Sequence, residues 1–230
     1  MAKKKERILD SGINYLKQLV NKSTFRNAVI FSGGILLFTA GVLVYGIILN
    51  LREIPLSEAM AQKGINIIKN PIIIINRKTY SLSLYDDTML VKTYRASFGR
   101  NLSSPKMESG DQATPVGEYK ICEIDTVSKY HKFFRLNYPN LNDDDEALRK
   151  GLISQELFDK LKFEFYYKGC VDSTSKLGGH IGIEGIGEYN YIFKNLPFVY
   201  NWTDGSIAIS NEAIDELYSV VKKGTKVVIK

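Results

Sequence analysis

Asn201-Trp202-Thr203-Asp204-Gly205-Ser206-Ile207-Ala208-Ile209 is the stretch on which the reading of this chain turns. A polar loop brings Ser206 up beside Gly205, directly ahead of an apolar triplet. Seventeen residues lie between Thr203 and Gly185, which closes the segment Ile181-Gly182-Ile183-Glu184-Gly185, and His180 to Glu184 has the character of a strand. As a nucleophile and base, Ser206 and Glu184 would be poorly matched. A serine hydroxyl must lose its proton during attack, and a carboxylate with an ordinary pKa of about 4.3 accepts it far less readily than a histidine near 6.5.

Working outward from that loop, both segments resemble signatures of the L,D-transpeptidase catalytic domain (YkuD-type) family. In the branch this chain is most similar to, the loop reads Trp-Thr-x-Gly-Cys-Ile-Ala, so Trp202, Thr203, Asp204, Gly205, Ile207 and Ala208 all fit it. Ser206 stands at the cysteine position. The family's other signature is a strand ending in His-Gly, and here Glu184 fills the histidine position ahead of Gly185. Ala113-Thr114-Pro115-Val116-Gly117-Glu118-Tyr119 is similar to the family's Thr-Pro-x-Gly-x-aromatic turn, and Lys132 to Asn140 to an aromatic strand leading into a Tyr-Pro-Asn loop. The resemblance runs from about Ile72 to Lys230. It implies a mostly β (α+β) fold, an L,D-transpeptidase-like β-sandwich with short helices, and acyl transfer on peptidoglycan stem peptides with no cofactor or metal. The catalytic positions would be Ser206 and Glu184, with Trp202, Thr203, Asp204, Gly205 and Gly185 shaping the loop and groove.

Four readings of the pair compete. Ser206 could act with Glu184 as base, burial raising the carboxyl and backbone amides near Gly205 and Ser206 forming an oxyanion hole. Glu184 and Asp204 could work as paired acid and base without a covalent step. His180 could replace the missing base, but four strand residues put it roughly 13 Å from Glu184, so a surface or core role is the better account. The reading favoured is that the fold is kept and the reaction lost, because exchanging both members of such a pair removes the step each one served. His131 carries no role, and two histidines so placed form no metal site.

The rest of the chain supplies the setting. Ala28 to Leu49 offers 22 mostly apolar residues, roughly 33 Å as a helix, which is enough to cross a bilayer. Residues 1–27 hold seven basic residues against two acidic ones, a net +5, and such flanks stay cytoplasmic. The remaining 24 basic and 23 acidic residues nearly cancel, so the positive charge suits anionic lipid near the tail and argues against nucleic-acid binding by the folded part. The expected organisation is a cytoplasmic basic tail over 1–27 and a membrane helix over 28–50. A juxtamembrane connector over 51–70 then leads to an outward-facing, periplasmic domain over 71–230. This places the protein in a bacterial inner membrane, facing peptidoglycan or an envelope protein partner. Ala59-Met60-Ala61 resembles a signal-peptidase site but lies too far past the apolar run, so an uncleaved anchor is expected. Gly34 and Gly41, with Gly33 and Ala40 beside them, would let a partner helix approach closely. Leu9, Ile13, Leu16 and Val20 fall on one helical face of the tail.

Local signals complete the map. Ser57 is a candidate N-cap for a short helix ending at Gly64. Ile72 to Ile75, Tyr80 to Leu84 and Met89 to Ser97 have strand patterns, with Asp86-Asp87 at the turn between the last two. Tyr119 to Ile124 and Phe163 to Tyr167 have strand character, and helices are expected over Asp143 to Lys150 and, capped by Ser154, over Gln155 to Lys162. Asn211 is a candidate cap for a last helix in which Ile214, Leu217 and Val221 share a face and Lys222-Lys223-Gly224 form the end, ahead of a strand at Val227 to Ile229. Cys122 and Cys170, the two cysteines, could pair in an oxidising compartment or stay as buried thiols.

Overall fold

A computed structural model describes residues 22–51, 53–171 and 176–230. The proposed amphipathic face at Leu9 to Val20 lies outside them. The described residues begin with a long helix, α1 (Lys22–Leu51), whose side chains are exposed over almost its whole length. Lys22–Ile48 is long and apolar enough to cross a membrane. A short helix, α2 (Leu56–Gln62), follows; Pro55, not Ser57, is its N-cap and no side chain caps it. Proline suits the position because its fixed φ is compatible with a helix start, and Gly64 takes a φ of +68° just past the end.

Three strands follow, the first two alternating as their sequence predicts. In β1 (Pro71–Asn76) and β2 (Ser81–Asp86), Ile73, Ile75, Leu82 and Leu84 are fully buried, while the residues between them face outward. β3 (Met89–Arg95) pairs antiparallel with β2 across the Asp86-Asp87 turn. β4 (Gly117–Ser128) has two partners: its first residues pair with β8 (Lys226–Ile229), and its later ones with β5 (His131–Leu136), with a register shift at Ile121. That shift bends one strand between two sheets and folds them over a common core. The order is β3-β2-β1-β8-β4-β5-β6-β7, with β6 at Gly182–Glu184 and β7 at Ile207–Ala208. Ser97, just past β3, bridges Ala208, which brings the sheet's two ends together. Phe98, Tyr119, Ile121, Phe134, Ile183, Ile207, Ile214 and Leu217 fill the interior.

Between β5 and β6 lies an insertion with its own small core of Ala147, Ile153, Leu161, Val171 and Leu177. Asn140 caps α3 (Leu141–Arg149) in a reciprocal box with Asp143. Ser154 caps α4, which runs on to Lys168, so the expected strand at Phe163 to Tyr167 is helix. Leu157, Phe158, Leu161 and Phe165 recur at helical spacing and pack on the insertion's core, which outweighs the aromatic preference for strands, and Gly169 ends the helix in the left-handed region. Cys122 and Cys170 are joined in a disulfide, with Cα atoms 5.7 Å apart, tying the end of α4 to β4. Gly187–Tyr189 forms a 3-10 turn and Asn190–Lys194 a one-turn helix, α5. The last helix, α6 (Asn211–Tyr218), is capped by Ser210 in place of Asn211, and it stops before the lysines at 222 and 223. The Asn211 side chain instead accepts from the Gly187 amide and donates to its carbonyl, stitching α6 to the turn ahead of α5.

Candidate active-site loop

The loop that carries Ser206 is held by bonds to two other segments, the stretch just after β3 and the strand of Glu184. Thr203 donates from its backbone to Phe98, its carbonyl accepts from Arg100, and the amide of Phe98 donates to the Asn201 side chain. Inside the loop the Thr203 hydroxyl donates to the Ser206 carbonyl at 2.6 Å and accepts from the Gly205 amide at 3.3 Å. Gly205 sits at a φ of +130°, and a Cβ there would fall 2.8 Å from the Ala113 carbonyl oxygen, so glycine is required for the close passage. After the loop, Ala208 exchanges backbone bonds with Ser97, and Ile209 donates to the Glu184 carbonyl.

β6 pairs antiparallel with β5 and parallel with β7, and Glu184 lies opposite Ala208. Ser206 is two residues before Ala208, so by strand alternation Ser206 and Glu184 stand on one side of the sheet, about 6–7 Å apart along it. The structure thus brings together the two positions paired by the sequence reading. Both are buried, Glu184 at 7% exposure and Ser206 at 9%. The Ser206 hydroxyl accepts the Gly182 amide hydrogen at 3.3 Å. Among the described residues no hydrogen bond joins it to the Glu184 carboxyl. Burial pushes the Glu184 pKa up to about 8, and the negative charge of Asp204 adds to the rise. At neutral pH this side chain is a protonated acid, able to donate a hydrogen bond and unable to receive a proton.

The remaining candidates take lesser places. The Asp204 side chain is 77% exposed and forms an ion pair with Arg100 at 3.7 Å. Trp202 is half-buried, edge-on to Tyr130 and stacked on Phe193. The Gly185 backbone packs so closely on the Tyr130 carbonyl that a Cβ would lie 2.5 Å from it. His180 lies outside β6 at a φ of +57°, so it does not share a strand face with Glu184 as the sequence suggested. It is exposed and stacks on Phe133. His131 bonds to Asp215 at 2.8 Å. Among the described residues no three His, Cys, Asp or Glu side chains gather to hold a metal ion.

Sequence reasoning missed a cleft beside the loop, lined by Tyr94, Arg95, Phe193, Lys194, Tyr200 and Trp202. Neither Ser206 nor Glu184 lines it. The run of aromatics from 189 to 202 was its signal, but Arg95 reaches it from about a hundred residues away, and nothing local in the sequence announces that.

A family model described as YkuD, L,D-transpeptidase catalytic domain, matches residues 70–229. Among solved structures, the chain is similar to the helical cell shape determining protein Pgp2 from Campylobacter jejuni, with 20% identity and a TM-score of 0.46 over 76% of this chain and 55% of that one. It is also similar to an L,D-transpeptidase from Xylanimonas cellulosilytica, with 15% identity and a TM-score of 0.40 over 76% of this chain and 70% of that one. A third is Bd1075 of Bdellovibrio bacteriovorus, with 19% identity and a TM-score of 0.44 over 71% and 48%. The chain therefore spans about half the length of two of these three structures. No curated protein matches it.

Proposed function

We propose that this chain, which belongs to the L,D-transpeptidase catalytic domain family, is a membrane-anchored cell-envelope protein that has kept the fold and lost the acyl-transfer reaction. The observation carrying this reading is the pairing of a serine, whose hydroxyl accepts a backbone amide, with a carboxyl that is neutral at pH 7. Among the described residues no group is then placed to draw off the serine proton, and a neutral serine attacks an amide too slowly for useful turnover. The Gly205 amide is also committed to Thr203, which removes one donor an oxyanion would need. The domain then acts by binding, with a peptidoglycan stem peptide or an envelope protein as its ligand.

Three features support the proposed location. α1 has the length and composition of a span, the basic tail ahead of it favours the cytoplasmic side, and the Cys122–Cys170 disulfide fits an oxidising compartment such as the periplasm. Gly34 and Gly41 leave room for a second helix in the membrane. The near-neutral charge of the domain gives nucleic acid no foothold.

One observation keeps a second reading in view: a carboxyl that ionises near pH 8 is, once ionised, a stronger base than an ordinary carboxylate. A serine hydrolase or transpeptidase using Ser206 would therefore work only as the pH rises through about 8. Incubating the detergent-purified chain with peptidoglycan sacculi decides between the two. The binding reading expects co-sedimentation that Ser206→Ala leaves unchanged, with the muropeptide profile constant from pH 6 to 9. New or missing cross-links that depend on Ser206 and grow with pH would support the enzyme.

A further inference from the structure

The segment after β6 exposes a set of large side chains with no covering element. Tyr189, Tyr191, Ile192, Phe198 and Tyr200 are each more than half exposed, within twelve residues of chain. The segment is nevertheless firmly held. The Arg95 guanidinium donates to the carbonyls of Phe193, Lys194 and Leu196 at 3.2, 2.9 and 2.6 Å, and Phe193 stacks on both Tyr200 and Trp202. An ordered, exposed aromatic surface of this kind needs a partner that is apolar on one side and wet on the other.

The position of α1 says what that partner is. Among the residues of α1 whose burial is described, Gly46 alone is buried, and a Cβ there would fall 1.5 Å from the carbonyl oxygen of Asn195, so the helix backbone lies directly against the aromatic segment. Gly46 stands three residues before Leu49, where the apolar run ends, a distance of about 4–5 Å along the axis. With α1 spanning a bilayer, Asn195 would be level with the boundary between hydrocarbon and headgroups. Glu53, just past the helix, lines the same cleft as Arg95, Phe198 and Tyr200, which holds the chain's exit from the span beside this surface. Tyrosine and tryptophan favour that depth in a bilayer.

We infer that residues 189–200 form a membrane-docking surface, seated in the headgroup region of the leaflet from which α1 emerges and fixing the domain against the lipid. This rests on the reading of α1 as a span. Docking places the cleft and Trp202 at the bilayer surface, so a ligand reaches the site loop laterally, along the membrane.

Trp202 is the only tryptophan, which gives a direct test. The full chain carrying Trp202→Phe receives one new tryptophan at Tyr191, Phe198, Tyr167 or Leu37 and is reconstituted into vesicles of phosphatidylcholine, with or without bromine on the acyl chains. Brominated lipid should remove about half or more of the emission from Tyr191→Trp and Phe198→Trp, as it does for Leu37→Trp in the span, and leave Tyr167→Trp on α4 nearly unchanged. Quenching at Leu37→Trp without quenching at Tyr191→Trp or Phe198→Trp overturns the docking surface while sparing the span. Equal quenching at Tyr167→Trp overturns it as a specific contact. Absence of quenching at Leu37→Trp overturns the span and the docking together.

Discussion

On α6 the carboxylates of Glu212, Asp215 and Glu216 each meet a lysine, whereas at the end of β6, among the described residues, the carboxyl of Glu184 meets none. At Glu212, partial burial works against ionisation, but hydrogen bonds from Lys194 and Asn190 overcome it and bring the pKa down to about 2. At Asp215, Lys132 and His131 likewise outweigh burial and lower the pKa. Glu216 accepts from Lys92 at 2.5 Å, the Tyr94 hydroxyl at 2.9 Å and the Leu56 amide at 3.0 Å, tying α6 to β3 and to α2. Neighbouring elements thus hold carboxylates that are ion-paired to lysines and one that burial keeps neutral. The charged ones fasten the helix; the neutral one lies on the strand that pairs with the end of the Ser206 loop. The difference teaches that lysine partners keep a half-exposed carboxylate charged, whereas burial without such a partner keeps Glu184 neutral.

The largest expected effect lies on the charged side. Glu216→Ala leaves Lys92 and the Tyr94 hydroxyl without their acceptor in a largely buried place, and should cost about 2–4 kcal/mol in denaturant unfolding. A loss below about 0.5 kcal/mol would show that the helix is held by packing alone.

Next comes Glu184→Gln. Folding raises this pKa from 4.5 to about 8, so the native state binds more protons than the unfolded chain in that window. Stability contributed by the neutral form is complete below about pH 4.5 and declines as pH rises through 8. The amide variant should match the wild type at pH 4 and exceed it by about 1–3 kcal/mol at pH 8. Parallel profiles would mean that Glu184 is already ionised in the fold.

Glu212→Gln sharpens the comparison with the opposite sign. Its contribution is present above about pH 4.5 and is lost as pH falls towards 2. Because the Glu212 side chain is 59% exposed, the variant should lose only about 0.5 kcal/mol at pH 7 and nothing at pH 2. Smallest is Asp204→Asn. Removing that exposed charge should move the Glu184 titration slightly downward, visible in a carboxyl-labelled spectrum, and leave thermal unfolding unaltered.

Much of this was legible where one local rule acts alone. Period-two burial located β1 and β2, and the serine signal located the start of α4. Errors arose where two rules compete. The aromatic stretch from 163 to 167 has strand preference, yet it continues a helix whose face at Leu157, Leu161 and Phe165 already packs on the insertion's core. Asn211 looks like a cap, but Ser210 sits one residue closer to the turn and Asn211 is needed by Gly187. At the site, the loop and strand signatures singled out Ser206 and Glu184, and the parallel pairing of β6 with β7 sets both on one side of the sheet without joining them by a hydrogen bond. The extent of burial at Glu184 and the three-carbonyl clasp by Arg95 depend on contacts far apart in the chain, which no local pattern encodes.

The central proposal is that Ser206 has no base among the described residues and forms no acyl-enzyme. Intact-mass measurement of the full chain after exposure to a carbapenem, whose strained amide acylates a competent nucleophile, tests it most directly. The account predicts an unchanged mass at pH 7 for the natural chain, and an adduct at position 206 once Ser206→Cys and Glu184→His restore a thiol and an imidazole. A stable adduct on Ser206 of the unmodified protein at pH 7 would contradict it.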